Sequence, residues 1–211
     1  MALDLDHLVV TAPDLAAGVA TVETALGVGL TTGGQHARMG THNALLRLGP
    51  ACYLEVIAID PQAPPPARPR WFGLDDGPTA PRLAHWLVAS DDIVRDAPRF
   101  GFEPDEIVPM SRGRYRWRIT VARDGRLPGD GGRPGIIQWD GEHPAAQLPD
   151  YGCRLGRLDV CQADAETLHD AWQAHGFADD RVRLTTAPPQ LYAEIITPTG
   201  RRPLLAGTAR D

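Results

Sequence analysis

The sequence predicts an α+β fold assembled from repeated βαβββ-type units, and three observations carry that prediction. Three segments align without gaps: Leu5 to Leu15 (LDHLVVTAPDL), Leu83 to Ile93 (LAHWLVASDDI) and Leu155 to Ala165 (LGRLDVCQADA). Each opens as a run of β-branched and large apolar residues, as a buried strand requires. Each then reaches an aspartate (Asp14, Asp92, Asp164) suited to accept backbone N–H bonds at a helix start. Internal repetition of one supersecondary unit decides the architecture before any single element does.

The helices follow from spacing. After Asp14, the apolar Leu15, Val19, Val22 and Leu26 fall at steps of four, three and four, and Gly27 stands where a left-handed cap ends a helix. Leu168, Ala171 and Trp172 with Gly176 repeat the pattern after Asp164. Ile93, Ala97 and Phe100 with Gly101 give a shorter version. Strand-like segments come next: Ala44 to Leu48 and Tyr53 to Ile59, Arg116 to Ala122 and Gly135 to Trp139, Arg183 to Thr185 and Leu191 to Thr197. The closing runs YLEVIAIDP, IIQWDGEHP and YAEIITPTG each end in a polar, proline-containing turn. The chain divides accordingly into a first unit at 1–60, a proline-rich linker at 61–81, a second unit at 82–145 and a third, degenerate unit at 146–211. The stretch PQAPPPARP reads as a semi-rigid spacer, and GDGGRPG at 129–135 as a mobile hairpin tip.

Composition removes several function classes. A net charge of -6 argues against nucleic acid as a partner, because phosphate backbones demand a basic face. No run approaches the roughly 18 apolar residues of a membrane span and no signal segment opens the chain, so a cytoplasmic location without membrane attachment is expected. The cysteines Cys52, Cys153 and Cys161 form no C-x-x-C pair, which suits a reducing compartment. The sequence holds no lysine, which excludes a Schiff-base lysine, a pyridoxal phosphate anchor and a Walker lysine. Chemistry must come from His, Asp, Glu, Gln and Arg.

Strand alternation puts residues two apart on one face. Glu55 therefore shares a face with Tyr53 and Ile57, a costly place for a carboxylate unless it is paired or bound to a cation. An ion pair with Arg38, Arg47 or Arg118 is the plainer alternative. His7 and His85 occupy matching positions in their opening strands. Arg112, Arg114, Arg116 and Arg118 alternate within MSRGRYRWR and, in an extended chain, fall on one face as an anion-binding stripe or a solvated edge.

These residues make the chain resemble the glyoxalase-like branch of the vicinal oxygen chelate superfamily. There, paired βαβββ units form a cupped mixed sheet with metal ligands on the first and last strands of each unit. The resemblance implies a metal set of His7, Glu55, His85 and Gln138, holding a divalent ion such as Zn, Mn, Fe or Ni. It makes Arg157 and Glu194 the equivalents in a third, partial unit that has lost its histidine. Gln138 departs from the carboxylate common in glyoxalase-type enzymes. An amide takes no proton near neutral pH, which leaves Glu55 as the catalytic base. His42, within GGQHARMGTHNALL, and His143, in the stretch after Trp139 that resembles a W-G-x-x-H-P pattern, join Arg112, Arg118 and Trp139 as substrate-binding candidates. His36 is a second candidate in the first of these loops.

The function implied is a metal-dependent small-molecule enzyme in the lyase, isomerase or dioxygenase range, chelating adjacent oxygens of a small and, from the arginines, anionic substrate. A non-catalytic binding or resistance-type protein with a degenerate metal site is the alternative. Two-unit relatives often dimerise to complete their cups, whereas fused units can do so within one chain, so both a homodimer and a monomer stay open.

Overall fold

A computed structural model describes residues 3–205. The first unit is β1 (Asp4–Thr11), α1 (Leu15–Leu26), β2 (Thr31–His36), β3 (Thr41–Gly49) and β4 (Cys52–Ile59). The second is β5 (Arg82–Ala89), α2 (Ile93–Asp96), β6 (Ile107–Arg112), β7 (Tyr115–Thr120) and β8 (Gly135–Trp139). Their eight strands form one sheet in the order β2-β3-β4-β1-β5-β8-β7-β6. Within each unit the opening strand runs parallel to the closing strand, and β1 joins β5 antiparallel. The sheet curls until its edges nearly meet: Arg112 of β6 lies across Gly34 of β2, where an added Cβ would sit 2.9 Å from the arginine Cδ.

Register makes the two units twins. His7 pairs with Leu87, Leu8 with Trp86 and Val9 with His85, a pattern that maps onto itself when the units exchange. Each strand also carries one extra residue, Asp6 on β1 and Ala84 on β5, at matching bulges. Outward side chains of both units, including Leu8, Val10, Leu54, Val56, Trp86, Val88 and Ile136, form the larger core with α1 and with the third unit. Inward side chains, including Val9, Ile57, Leu87, Trp117 and Ile137, form a second core inside the curl.

Local chemistry explains the helices. Asp14 Oδ1 accepts the Ala17 N–H at 2.8 Å, and Gly27 closes α1 at φ 71°; such a cap contributes about 1 kcal/mol. Asp92 caps α2 through the Arg95 N–H. Asp164 makes no cap bond; its carboxylate instead pairs with Arg133 at 2.8 Å.

The third unit comprises β9 (Arg154–Gln162), α3 (Ala165–Ala174), β10 (Val182–Thr186), β11 (Gln190–Thr197) and β12 (Gly200–Pro203). It keeps the element order but pairs its strands differently, as β10-β9-β11-β12, with β9 parallel to β10. Its opening strand thus lies between β10, which runs parallel to it, and β11, which runs antiparallel.

Two segments differ from their sequence reading. The stretch 61–81 is more than a spacer, because its 3-10 turn at Trp71–Asp76 buries Trp71, Phe72 and Leu74 in the inner core. The glycine-rich stretch before β8 is packed rather than a free tip. Gly131 and Gly132 carbonyls accept from His85 Nδ1 (3.3 Å) and Trp86 Nε1 (3.0 Å), and a Cβ on Gly131 would lie 2.0 Å from the Ala84 oxygen. No helix among the described residues is long and apolar enough to cross a membrane.

Candidate functional site

Inside the curl, β1 presents His7 and β4 presents Tyr53 and Glu55. His7 and Tyr53 are register partners, and their rings stack with centroids 4.4 Å apart. His7 is 2% and Glu55 5% exposed. The bulge turns Asp6, fully buried, onto the same group. Its Oδ1 lies 2.5 Å from His7 Nδ1, and its Oδ2 accepts from Trp139 Nε1 (2.9 Å) and His143 Nε2 (3.1 Å). Burial alone would raise the Asp6 carboxyl; the hydrogen bonds from His143 and His7 outweigh it and hold the group down at about 2. Asp6 is therefore an anion at neutral pH, and a buried anion fixes Nδ1 of His7 as the donor.

The consequence lies on the other side of the ring. With Nδ1–H given to Asp6, a neutral His7 presents a lone pair at Nε2. That nitrogen faces Glu55 Oε2 across 3.7 Å, too far for a hydrogen bond. Glu55 is oriented by Asn43, whose Nδ2 donates to Oε1 at 2.5 Å. The imidazole Nε2 and the carboxylate Oε2 therefore face one gap. None of the arginines weighed as partners reaches Glu55: Arg38 bonds the Pro109 carbonyl, Arg47 the Gly49 and Leu148 carbonyls, and Arg118 the Gln138 amide.

The structure thus gathers His7, Glu55, Trp139 and His143, and it adds Asp6, Asn43 and Tyr53, which sequence reasoning did not assign. Arg112 belongs to the same hollow. Its guanidinium stands 3.4 Å from His36 Nε2, is close enough to act on Tyr53, and makes no ion pair among the described residues. His36 is buried edge-on against Trp71 and Trp117. Burial, reinforced by Arg112, holds its imidazole well below the usual histidine range. Burial likewise raises the Tyr53 phenol, so that it stays protonated.

Gln138 and Arg118 lie elsewhere. Gln138 faces outward, accepting from the Ile93 N–H (2.9 Å) and Arg118 (2.8 Å) and donating to the Asp91 carbonyl (2.9 Å). The twin register explains why: Val9 pairs with Glu55 and Leu87 with Gly135, so the counterpart of Glu55 in the second unit is Gly135, not Gln138. His42 sits on β3 beside Ala58, on the face opposite Asn43, with its Nε2 buried and unbonded. The arginine row is broken by the turn at Gly113 (φ 54°). Arg112 shares a face with Tyr115 inside, Arg114 lies in the turn, and Arg116 bonds the Gly113 and Tyr115 carbonyls at the exposed surface. In the third unit Arg157 pairs with Asp159, and Glu194 with Arg201.

His85 is buried beside Phe72, whose ring centroid lies 5.6 Å away. Burial holds its imidazole down at about 3, so it is neutral. As a site for a divalent ion, the donor set falls short. His7 and Glu55 approach each other, but no group of three His, Cys, Asp or Glu residues is placed to hold a metal among the described residues. The fourth ligand position carries no side chain at all. These residues form a donor pair rather than the closed shell a divalent ion takes. The three cysteines are unpaired; burial pushes the Cys52 thiol up to about 12, which makes it inert as a nucleophile.

A cupped sheet made of two register-related βαβββ units, with inward histidines on both opening strands, defines a glyoxalase-fold protein. The glyoxalase-like domain matches over residues 5–176, and the chain belongs to that family, within the vicinal oxygen chelate superfamily. No curated protein matches the sequence. It is similar to the crystal structure of a hypothetical protein from Staphylococcus aureus, with TM-score 0.57 and 14% identity, over 97% of this chain and 86% of that one. It is more distantly similar to methylmalonyl-CoA epimerase from Mycobacterium tuberculosis, with TM-score 0.43 and 16% identity, over 69% of this chain and 92% of that one. A methylmalonyl-CoA epimerase in complex with methylmalonyl-CoA and NH4+ gives TM-score 0.46 and 17% identity, over 65% and 95%. The Staphylococcus aureus structure bears on the fold alone.

Proposed function

We propose that this protein is an enzyme of small oxygenated molecules, and that its chemistry is proton transfer between substrate and the His7–Glu55 pair. The observation that supports this most directly is the 3.7 Å gap between two acceptors, Nε2 of His7 and Oε2 of Glu55, each fixed from behind by Asp6 or Asn43. Such a gap is stabilised by a group that brings a hydrogen: a hydroxyl, an enediol, or an acidic C–H beside a carbonyl. Glu55 takes that proton at Oε2, and the Asn43 amide steadies the resulting acid through Oε1. Glu55 then passes that same proton across the gap to Nε2 of His7, whose cation the Asp6 anion supports, and His7 delivers it to the neighbouring carbon or oxygen, so that both residues end as they began. Arg112, turned into the hollow, would hold a substrate carboxylate bidentately. On this reading the reaction belongs to the isomerase part of the range the sequence suggested, and the substrate to the small 2-oxo or 2-hydroxy acids. A divalent ion, where one is bound by relatives, polarises such oxygens; here no step is assigned to it.

Hydrogen exchange tests the reading. The protein, incubated in deuterated buffer with a panel of 2-oxo and 2-hydroxy acids, should speed loss of the α-proton signal, and Glu55→Gln should reduce that rate about 100-fold or more. Exchange that is unchanged in Glu55→Gln would overturn it. The binding-protein reading is favoured by one feature, the Trp71–Phe72 pair filling the His85 side of the hollow. It predicts saturable binding without exchange.

A further inference from the structure

The second unit has an opening of its own. A groove of about 580 Å³ runs between the second unit and the third, walled by Phe100, Phe102, Leu127 and Pro128. Beside it a narrow throat is lined by Phe102, Leu127 and Pro128 on one side and by Trp71, Phe72 and His85 on the other. The throat has room for about 10 Å³, the space of a single water-sized group. Phe102, Ala122, Arg126, Leu127 and Pro128 line both spaces, so the two adjoin across these side chains.

Its polar groups are unevenly satisfied. The acidic residues at the rim are engaged: Glu106 accepts the Glu103 and Arg123 N–H groups, and Asp124 accepts the Arg126 N–H. Arg133 is paired with Asp164. The Arg126 guanidinium, by contrast, makes no hydrogen bond or ion pair among the described residues. Deeper in, Trp71 Nε1 is a buried donor without a partner although the residue is 3% exposed. His85 gives its Nδ1–H to the Gly131 carbonyl, which leaves Nε2 as an acceptor with no hydrogen bond among the described residues. An unsatisfied donor and an unsatisfied acceptor on residues lining one throat are a cost that a bound hydroxyl, able to donate and accept, removes.

We propose that this groove and throat form a second ligand site, separate from the His7–Glu55 hollow, for a small aromatic hydroxycarboxylate. The carboxylate rests on Arg126 at the rim, the ring lies between Phe102 and Leu127, and the hydroxyl enters the throat beside Trp71 and His85. The volume falls within the range of small-molecule pockets, and the lining joins an apolar side of Phe100, Phe102, Leu127 and Pro128 to a polar rim that includes Arg126. The site does not rest on the proton-transfer reading.

The test uses the full chain with 4-hydroxybenzoate and benzoate as probes, by calorimetry and by NMR of the labelled protein. Expected are saturable binding of 4-hydroxybenzoate with signal changes centred on Phe102, Leu127 and the Trp71 indole, and about tenfold weaker binding in Arg126→Gln, restored in part by Arg126→Lys. The preference for 4-hydroxybenzoate over benzoate should vanish in His85→Phe, and Glu55→Gln should bind as the wild type does. Failure of 4-hydroxybenzoate to bind saturably would overturn the proposal. So would equal affinity in Arg126→Gln, or signal changes centred on Tyr53 and Trp139.

Discussion

Replacing Asp6 by asparagine tests the centre of the site. The wild-type carboxylate receives three side-chain hydrogen bonds while fully buried, and it is held at about 2 against an ordinary value of 3.8. That difference corresponds to roughly 2.5 kcal/mol of folding stability at neutral pH. An asparagine side chain there offers one acceptor oxygen and turns an NH₂ group toward at least one of the three donors, so a buried donor is left facing a donor. Asp6→Asn should therefore lose about 2–4 kcal/mol in urea denaturation at pH 7. The pH dependence supplies a second check. The folded group is depressed below its unfolded value, so its contribution is complete above about 3.8 and is lost as pH falls toward about 2. The gap between wild type and variant should narrow over that interval. Equal stability at pH 7, or a gap that stays constant down to pH 2, would refute the account of Asp6 as an ionised hub.

Three further outcomes follow from other parts of the molecule. Burial depresses His85 from 6.5 to about 3, so its unfolded form takes up a proton first. Stability should decline as pH falls from 6.5 toward 3, and His85→Phe should reduce that slope in denaturation series, leaving the share of the similarly depressed His36 and the lower, Asp6 interval. Gly135→Glu sets a carboxylate at the twin position of Glu55, with its Cβ 3.1 Å from His85 Nε2. It should cost about 1–3 kcal/mol in thermal unfolding, yet raise Co²⁺ affinity about tenfold or more by equilibrium dialysis and visible absorption; an unchanged affinity in folded protein would contradict the register argument. Gly18 lies where α1 meets the sheet, and an added Cβ would be 2.7 Å from both Ala12 Cβ and Val56 Cγ1. Gly18→Ala should destabilise by about 1–3 kcal/mol despite the helix propensity it gains, as chemical denaturation will show.

The repeat was legible because strand and helix periods are written in local residue order, and the Asp14 and Asp92 caps and the Gly27 and Gly101 stops fall where the sequence puts them. The edge strands were not. TTGGQH of β2 holds no apolar residue, and β6 contains Pro109, which only an edge tolerates. Register was the deeper gap. Aligning the closing strands by their terminal turns set Gln138 against Glu55, whereas pairing with the opening strands sets Gly135 there, three residues away. An odd offset reverses the face of every side chain, so the assigned amide points outward. Asp6 was hidden by a bulge, since strict alternation turns it away from His7. Asn43 lay within a quoted motif, but its bond to Glu55 depends on strand pairing that no local signal reveals.

The doubled architecture also works as an internal reference. Positions that exchange under its rotation and carry similar side chains, such as Val56 with Ile136 or Ile57 with Ile137, mark what the scaffold itself demands. Positions that differ, Asp6 against Ala84, Asn43 against Ile119, Glu55 against Gly135, mark where one half has specialised. All three polar members of those unequal couples stand in the first half. A single chain thus separates architecture from chemistry without recourse to any second molecule.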